Sequence, residues 1–529
     1  MNLLQLTPGA GAMYCGGCLR DNALVAALRK LGHQVLMVPL YLPLTLDEED
    51  QSAGTPLFFG GISVYLEQKS PLFRGAPSWL HDLFASRRLL NWAAGKAAKT
   101  RPADLGELTL SMLRGEAGNQ ARELETLIAW LKTQPKPDVL CLSNALLIGM
   151  VRRLKAELGV PVACALQGED FFLDALPESH RAACWRELAE RAAEVDLFIA
   201  PSRYFGDLMR ERLGLAGDRV RVVYNGINLD GYEAEVQSRA PLSTLDPRVG
   251  ISHASGGLDQ PASASPSPPL EERAGERRPT TTLGGAIRGD APAGGRTKTS
   301  GVLADDLLSL PLSSKGGEGT SAGPSEHGDA FKQQSPSLPP VLGFLARMSR
   351  EKGLDTLVEA YILLRQRGRV GDLKLRVGGS CGPADEAFVN TLRERLQASG
   401  LLSAVEFRPN LDRASKVAML RSLTVFSVPA LYGEAFGLYV IEALAAGVPV
   451  VQPRTAAFPE LIEATGGGVL CAPHDARVLA EAIEELLLDP ARARALGEAG
   501  QRAVTKGFSA EAMAQATLTL YRELAGKAS

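Results

Sequence analysis

The sequence predicts an α/β protein of two Rossmann-like, doubly wound domains facing across a cleft, with a disordered insert between them. Three observations predict it. Short β-branched runs, apolar on both faces, alternate with helical patterns of about 10–15 residues, which is how parallel sheets covered on both sides read. The alternation occurs twice, in 1–236 and in 341–529. Residues 237–340 interrupt it with SASPSPP, EERAGERRP, GGAIRGDAPAGGRTKTSG and SSKGGEGTSAGPSEHG, where Phe331 is the only Phe, Tyr or Trp. Such a stretch cannot bury enough apolar surface to offset its ordering entropy, so it reads as a linker insert.

In the first half the strands are expected at 2–6, 35–41, 139–143, 160–166, 196–200 and 220–224, with helices at 19–31, 120–132, 146–158, 178–193 and 203–213. In the second half they are expected at 341–346, 373–378, 404–408, 424–428, 448–452 and 468–471. Helical patterns there fill 353–367, 384–399, 413–422, 437–446, 475–488 and 491–504, and the last helix can pack back on the first domain. Open parallel sheets bind ligands beyond the carboxyl ends of their strands, so two facing sheets put the natural site between them.

The 529 residues carry 57 Lys and Arg against 60 Asp and Glu, a net charge of −3, which gives no basic field for nucleic acid. The apolar stretch 138–151 is shorter than the ~18–20 residues of a membrane span. MNLLQLTPG has neither a basic n-region nor a long apolar core, so no leader peptide is expected. Seven scattered cysteines fit a reducing, cytoplasmic setting rather than a disulfide scaffold. Oligomeric state is not legible.

The run 431–453, LYGEAFGLYVIEALAAGVPVVQP, carries the chemistry. A strand ends near Pro429, and a helix opens about Phe436–Leu438 and stops at Gly447. The free N–H groups of Phe436, Gly437 and Leu438 make an anion site, and Gly437 lets a phosphate approach the backbone. Glu434 precedes the helix and Glu442 lies just over one turn inside it. Carboxylates beside a phosphate cradle suit hydroxyl groups, a sugar at one end and a ribose at the other. The alternative for the pair is a dipole partner and an exposed helix residue. In LARMSREKG (345–353), Arg347 and Lys352 follow the first strand of the second half and can clamp a diphosphate. Arg350 and Glu351 read as solvated surface charges.

ARMSREKGLDTLVEAY followed by GEAFGLYVIEALAAGVPVV resembles the retaining glycosyltransferases of family 4, which have the GT-B fold. LRKLGHQV, DLFIAPSRYF and RVRVVYNGIN in the first half agree, and the likeness spans roughly 1–235 and 341–525. The resemblance implies transfer of a hexosyl unit from a nucleotide-diphosphate sugar to a hydroxyl acceptor with retained configuration. It implies Arg347, Lys352 and Glu434 as catalytic residues, with Glu434 on the transferred sugar. Glu442 would hold the ribose, and the amides of Phe436, Gly437 and Leu438 the diphosphate. No metal or other cofactor is implied, and no covalent nucleophile. Another GT-B enzyme, such as a sugar-nucleotide epimerase, and a non-catalytic sugar-nucleotide-binding protein are the competing readings; a glucan phosphorylase lacks its lysine context here.

The first half supplies the acceptor side. Gly9, Gly11, Gly16 and Gly17 form a loop before helix 19–31, and Gly16 and Gly17 are expected at the donor. As a dinucleotide fingerprint the loop fails, since Tyr14 stands at the third glycine position. Cys15 and Cys18 form a lone CxxC without the second pair a zinc site needs. LQGEDFF has Gln167 where the family often has histidine; Gln167, Glu169 and Asp170 are acceptor-side candidates, the last two also reading as caps of the next segment. The basic amphipathic stretch 86–101, with Trp92, reads as an exposed helix on the acceptor face, weak contact with an anionic membrane being its other use.

Overall fold

The computed structural model describes residues 1–9, 15–59, 102–232 and 339–528. The expected insert up to residue 338, Gly11, Tyr14 and the 86–101 stretch lie outside the described residues. The first lobe runs β1 (Asn2–Thr7), α1 (Gly16–Lys30), β2 (Gln34–Pro39), α2 (Pro102–Leu113), α3 (Ala121–Leu131), β3 (Val139–Leu142), α4 (Val151–Leu158), β4 (Val162–Ala165), α5 (Glu169–Asp174), α6 (Glu178–Ala192), β5 (Leu197–Ala200), α7 (Arg203–Leu213) and β6 (Val220–Val222). The second runs β7 (Val341–Leu345), α8 (Leu354–Arg367), β8 (Lys374–Gly379), α9 (Pro383–Ala398), β9 (Val405–Pro409), α10 (Arg413–Arg421), β10 (Val425–Phe426), α11 (Leu438–Ala445), β11 (Val450–Pro453), α12 (Phe458–Thr465), β12 (Gly468–Cys471), α13 (Ala476–Leu488) and α14 (Pro490–Gly507), and ends in α15 (Ala510–Ala528).

Every expected strand is present, its ends shifted by at most two residues. Their side chains are apolar on both faces because helices cover both faces: β3, β4, β5, β7 and β11 are buried throughout. The first sheet is ordered β2-β1-β3-β4-β5-β6 and the second β12-β11-β10-β7-β8-β9, all pairs parallel. The strand order therefore reverses at β1/β3 and at β7/β10, and a crevice opens at each reversal. The pattern at 146–158 resolves into a 3-10 turn, Ala145–Met150, followed by the shorter α4.

The chain crosses between lobes twice, side by side. Ile227 donates to the Phe508 carbonyl at 3.0 Å and accepts from the Ala510 amide at 2.8 Å. α15 then packs on α1, with Met513, Leu518 and Tyr521 sharing a core with Leu24 and Leu28. Further contacts join the lobes. Ser202 Oγ donates to the Ala435 carbonyl at 2.7 Å, and Glu460 accepts from the Arg203 and Tyr204 amides at 2.9 and 3.1 Å. Arg413 pairs with Glu48 at 2.7 Å. Among the described residues no helix is long and apolar enough to cross a membrane.

Candidate active site

Gly353 brings the 346–353 loop to the helix-opening loop. Its φ is +72°, and a Cβ there would stand 1.9 Å from the Pro429 carbonyl oxygen, so only glycine permits the approach. Lys352 thereby reaches Glu434, Nζ to Oε2 at 2.6 Å, and also donates to the Tyr432 hydroxyl. Its ammonium lies 4.8 and 5.2 Å from the ring centres of Tyr432 and Tyr439. Both phenols donate to the same Glu434 oxygen, at 3.0 and 2.7 Å. Burial alone would push the Glu434 carboxyl up, but Lys352 and the two hydroxyls outweigh it and hold it below the usual carboxylate range. Burial and the Glu434 charge push both tyrosines up, so they stay neutral donors.

Arg347 leaves the end of β7 and is held by Asp385 in the first turn of α9, Nη2 to Oδ1 at 2.9 Å and Nε to both oxygens at 3.1 Å. About half of its side chain stays exposed, so the guanidinium is aimed but not used up. At the far end, Glu442 accepts from Lys416 at 2.7 Å, and Lys416 also bonds Asp47 of the first lobe at 2.5 Å. Burial would lower the Lys416 pKa; the charges of Glu442, Tyr232 and Asp47 overcome it and push the ammonium well up.

Between these carboxylates, Gly437 caps α11 at φ +94°. Among the described residues, the amides of Phe436, Gly437 and Leu438 have no hydrogen-bond acceptor. Aligned, acceptor-free amides at a helix start are an anion site. They open on a cavity of about 300 Å³ between the lobes, lined by Arg347, Lys352, Glu434, Glu442, Phe436, Gly437 and Leu438 from the second lobe and by Gly16, Gly17 and Gln167 from the first. The structure thus gathers ten of the twelve sequence-derived site residues at one crevice.

Glu169 and Asp170 are the remaining two. Neither lines the cavity. Glu169, 3% exposed, opens α5 and accepts from the amides of Ala145, Gln167 and Gly168 at 2.7, 2.9 and 3.1 Å. Its carboxylate ties the β3 and β4 exits together. Asp170 is also buried, which pushes its carboxyl up, and its Oδ1 has no partner among the described residues. Glu169→Ala strips three buried amides of their acceptor, each worth about 1–3 kcal/mol. Urea melts should show a loss of ~3 kcal/mol or more, while the folded fraction binds nucleotide as the parent does. Asp385, Tyr432, Tyr439, Lys416 and Asp47 are site residues that the sequence reading missed. For the two tyrosines a signal existed, since they flank Glu434 within the run LYGEAFGLY.

The family model described as glycosyl transferases group 1 matches residues 327–503, and that of glycosyltransferase family 4 matches 107–230. A D-inositol 3-phosphate glycosyltransferase of Corynebacterium jeikeium is 35% identical over 188 residues, 35% of this chain and 43% of that protein. The lipopolysaccharide core mannosyltransferase LpsB of Rhizobium meliloti is 32% identical over 188 residues, 35% of this chain and 51% of its own length. The matched segment thus spans about half or less of these relatives. Two solved structures share the fold. A sucrose-phosphate synthase from Thermosynechococcus elongatus has TM-score 0.62 at 19% identity, both chains covered in full. Anabaena HepE in complex with UDP-glucose has TM-score 0.54 at 15% identity, covering 99% of this chain and 100% of that one. With its two parallel lobes and the crevice between them, the chain belongs to the group 1 glycosyl transferases of glycosyltransferase family 4, with the GT-B fold.

Proposed function

We propose that the protein is a retaining glycosyltransferase moving a hexosyl unit from a nucleotide-diphosphate sugar to a hydroxyl acceptor, without a metal. The observation that carries the reading is the α11 cradle: acceptor-free amides at 436–438 facing Arg347 and Lys352, with Glu434 and Glu442 to either side. Amides, helix dipole and two cations stabilise the charge that grows on a departing diphosphate, which is the role a divalent ion plays elsewhere. Glu442 holds the ribose hydroxyls at the end where Lys416 now sits. Glu434 holds the transferred sugar. With Lys352 and two phenols bound to it, Glu434 is a poor nucleophile and a good hydroxyl acceptor. The bond from the anomeric carbon to phosphate oxygen breaks, the acceptor oxygen takes its place on the same face, and the acceptor proton passes to the departing phosphate. Catalysis is then mostly positioning and charge stabilisation. Relatives named as glycosyltransferases and a fold neighbour holding UDP-glucose support this reading.

The test begins with UDP and UDP-glucose in thermal-shift and calorimetric titrations, followed by proton NMR of the released or transferred sugar. UDP should bind equally with and without EDTA, and the first-formed sugar should keep the α configuration. Glu442→Ala should weaken UDP binding about tenfold and change turnover much less, because ribose contacts are uniform between ground and transition state. An inverted product, or turnover to an epimer with no acceptor, would overturn the reading.

A further inference from the structure

We propose that Cys15 and Cys18 form a reversible dithiol–disulfide site at the mouth of the cleft, taking a small disulfide as reactant and tuning nucleotide affinity. The affinity half rests on the function proposed above; the disulfide half does not.

Cys15 caps α1 in an extended conformation, and Cys18 sits one turn on. The two thiols face each other across that turn. They are unequal: Cys15 is half-buried and Cys18 is 1% exposed. The groups facing them are Asp21, one turn further along α1, and the Thr7 hydroxyl from the end of β1. The neighbouring Cys18 thiol pulls the Cys15 thiol down to about 6, and the Cys15 sulfur together with burial pushes Cys18 up. A thiolate backed by a protonated, shielded thiol is the arrangement of an attacking and a resolving cysteine. The other five differ. Cys141, Cys164, Cys184 and Cys471 are buried, and burial pushes these four and Cys381 up.

The reaction balances with an external disulfide. The Cys15 thiolate attacks one sulfur of oxidised glutathione, forms a mixed disulfide and expels one glutathione thiolate. Cys18 gives up its proton, attacks Cys15 sulfur and expels the second. The two cysteines are oxidised by two electrons, the small disulfide is reduced to two thiols, and the Cys18 proton ends on a released thiolate.

Coupling follows from position. Gly16 and Gly17, between the cysteines, line the same cavity as the cradle, and a Cβ on Gly16 would stand 3.5 Å from the side-chain Cδ1 of Leu438, the first residue of α11. In the reduced form a thiolate occupies the positive end of α1 beside the diphosphate cradle. The disulfide is neutral and removes that competing charge. Oxidation should therefore tighten UDP binding about two- to fivefold.

The experiment uses the full chain, equilibrated at pH 7 with oxidised glutathione or with dithiothreitol. Peptide mapping without reductant should show Cys15 linked to Cys18, two hydrogens lighter, reversed by dithiothreitol, with the other five thiols free. Cys18→Ala should trap a glutathione adduct on Cys15, and Cys15→Ser should leave Cys18 unmodified. A pair that stays reduced, or bridges to another cysteine, overturns the site. Equal UDP affinities of the two forms overturn the coupling. UDP binding to neither form overturns the proposed function, while the peptide map still decides the disulfide.

Discussion

Replacing Lys352 with alanine should lower turnover of the folded enzyme by about 10²–10³, the usual loss when one transition-state charge partner is removed. The structure adds a second effect that the sequence does not show. Lys352 keeps 19% of its side chain exposed and Glu434 only 13%, and among the described residues the ammonium is the one cation paired with that carboxylate. Removing it leaves a buried anion with two phenols, at a cost of ~3 kcal/mol, the low end for breaking a buried pair. The pH dependence follows. In the parent the Glu434 value is depressed, so its contribution is present above the ordinary carboxylate range and is lost as pH falls through the folded value. In the variant burial prevails and the value rises above that of the unfolded chain. The stability deficit should then be largest at pH 7.5 and shrink toward pH 5 in urea titrations. Lys352→Ala combined with Glu434→Gln should recover most of the stability and none of the turnover. Turnover of Lys352→Ala within a few-fold of the parent would remove the residue from the chemistry.

The strands were legible because doubly covered parallel strands must be apolar on both faces, and runs such as VLCL and LFIA satisfy that locally. Among the described residues α2, α5, α12 and α15 were not expected as elements, and for two of them the reason is local. α12 and α5 are eight and six residues long, too short for a 3.6-residue period to emerge, and α12 has Pro459 in its first turn. The cradle at 436–438 was legible because strand exit, glycine and helix start are consecutive. What could not be read are partners joined only by folding. Asp385 lies 38 residues from Arg347, and Lys416 lies 26 from Glu442. Asp47 reaches Lys416 from the other lobe. Glu169 shows the opposite failure: a carboxylate beside a cleft-lining Gln167 reads as a site residue, yet three backbone amides claim it. Sequence shows which residue types are near one another, not which donors satisfy them.

Gly437→Ala should separate the cradle from its scaffold. At φ +94° a side chain sits in left-handed backbone, which costs about 1–2 kcal/mol. The added Cβ would lie 3.2 Å from the Phe458 ring and 3.5 Å from Val440 Cγ2, so Phe458 must give by a few tenths of an ångström. Phe458 is fully buried, which makes that adjustment unfavourable as well. The methyl group also stands at the backbone where a phosphate would approach the amides of 436–438. UDP affinity should fall tenfold or more by calorimetry, with a stability loss of ~2 kcal/mol in urea. Alanine at the exposed Gly507, where a Cβ meets nothing within 4 Å, is the control and should change neither. Since the strain acts on the folded state and the lost approach acts on the complex, the two readouts are independent. A variant that loses stability yet binds UDP within twofold of the parent would place the diphosphate somewhere other than the start of α11, and with it the charge balance assigned to Arg347 and Lys352.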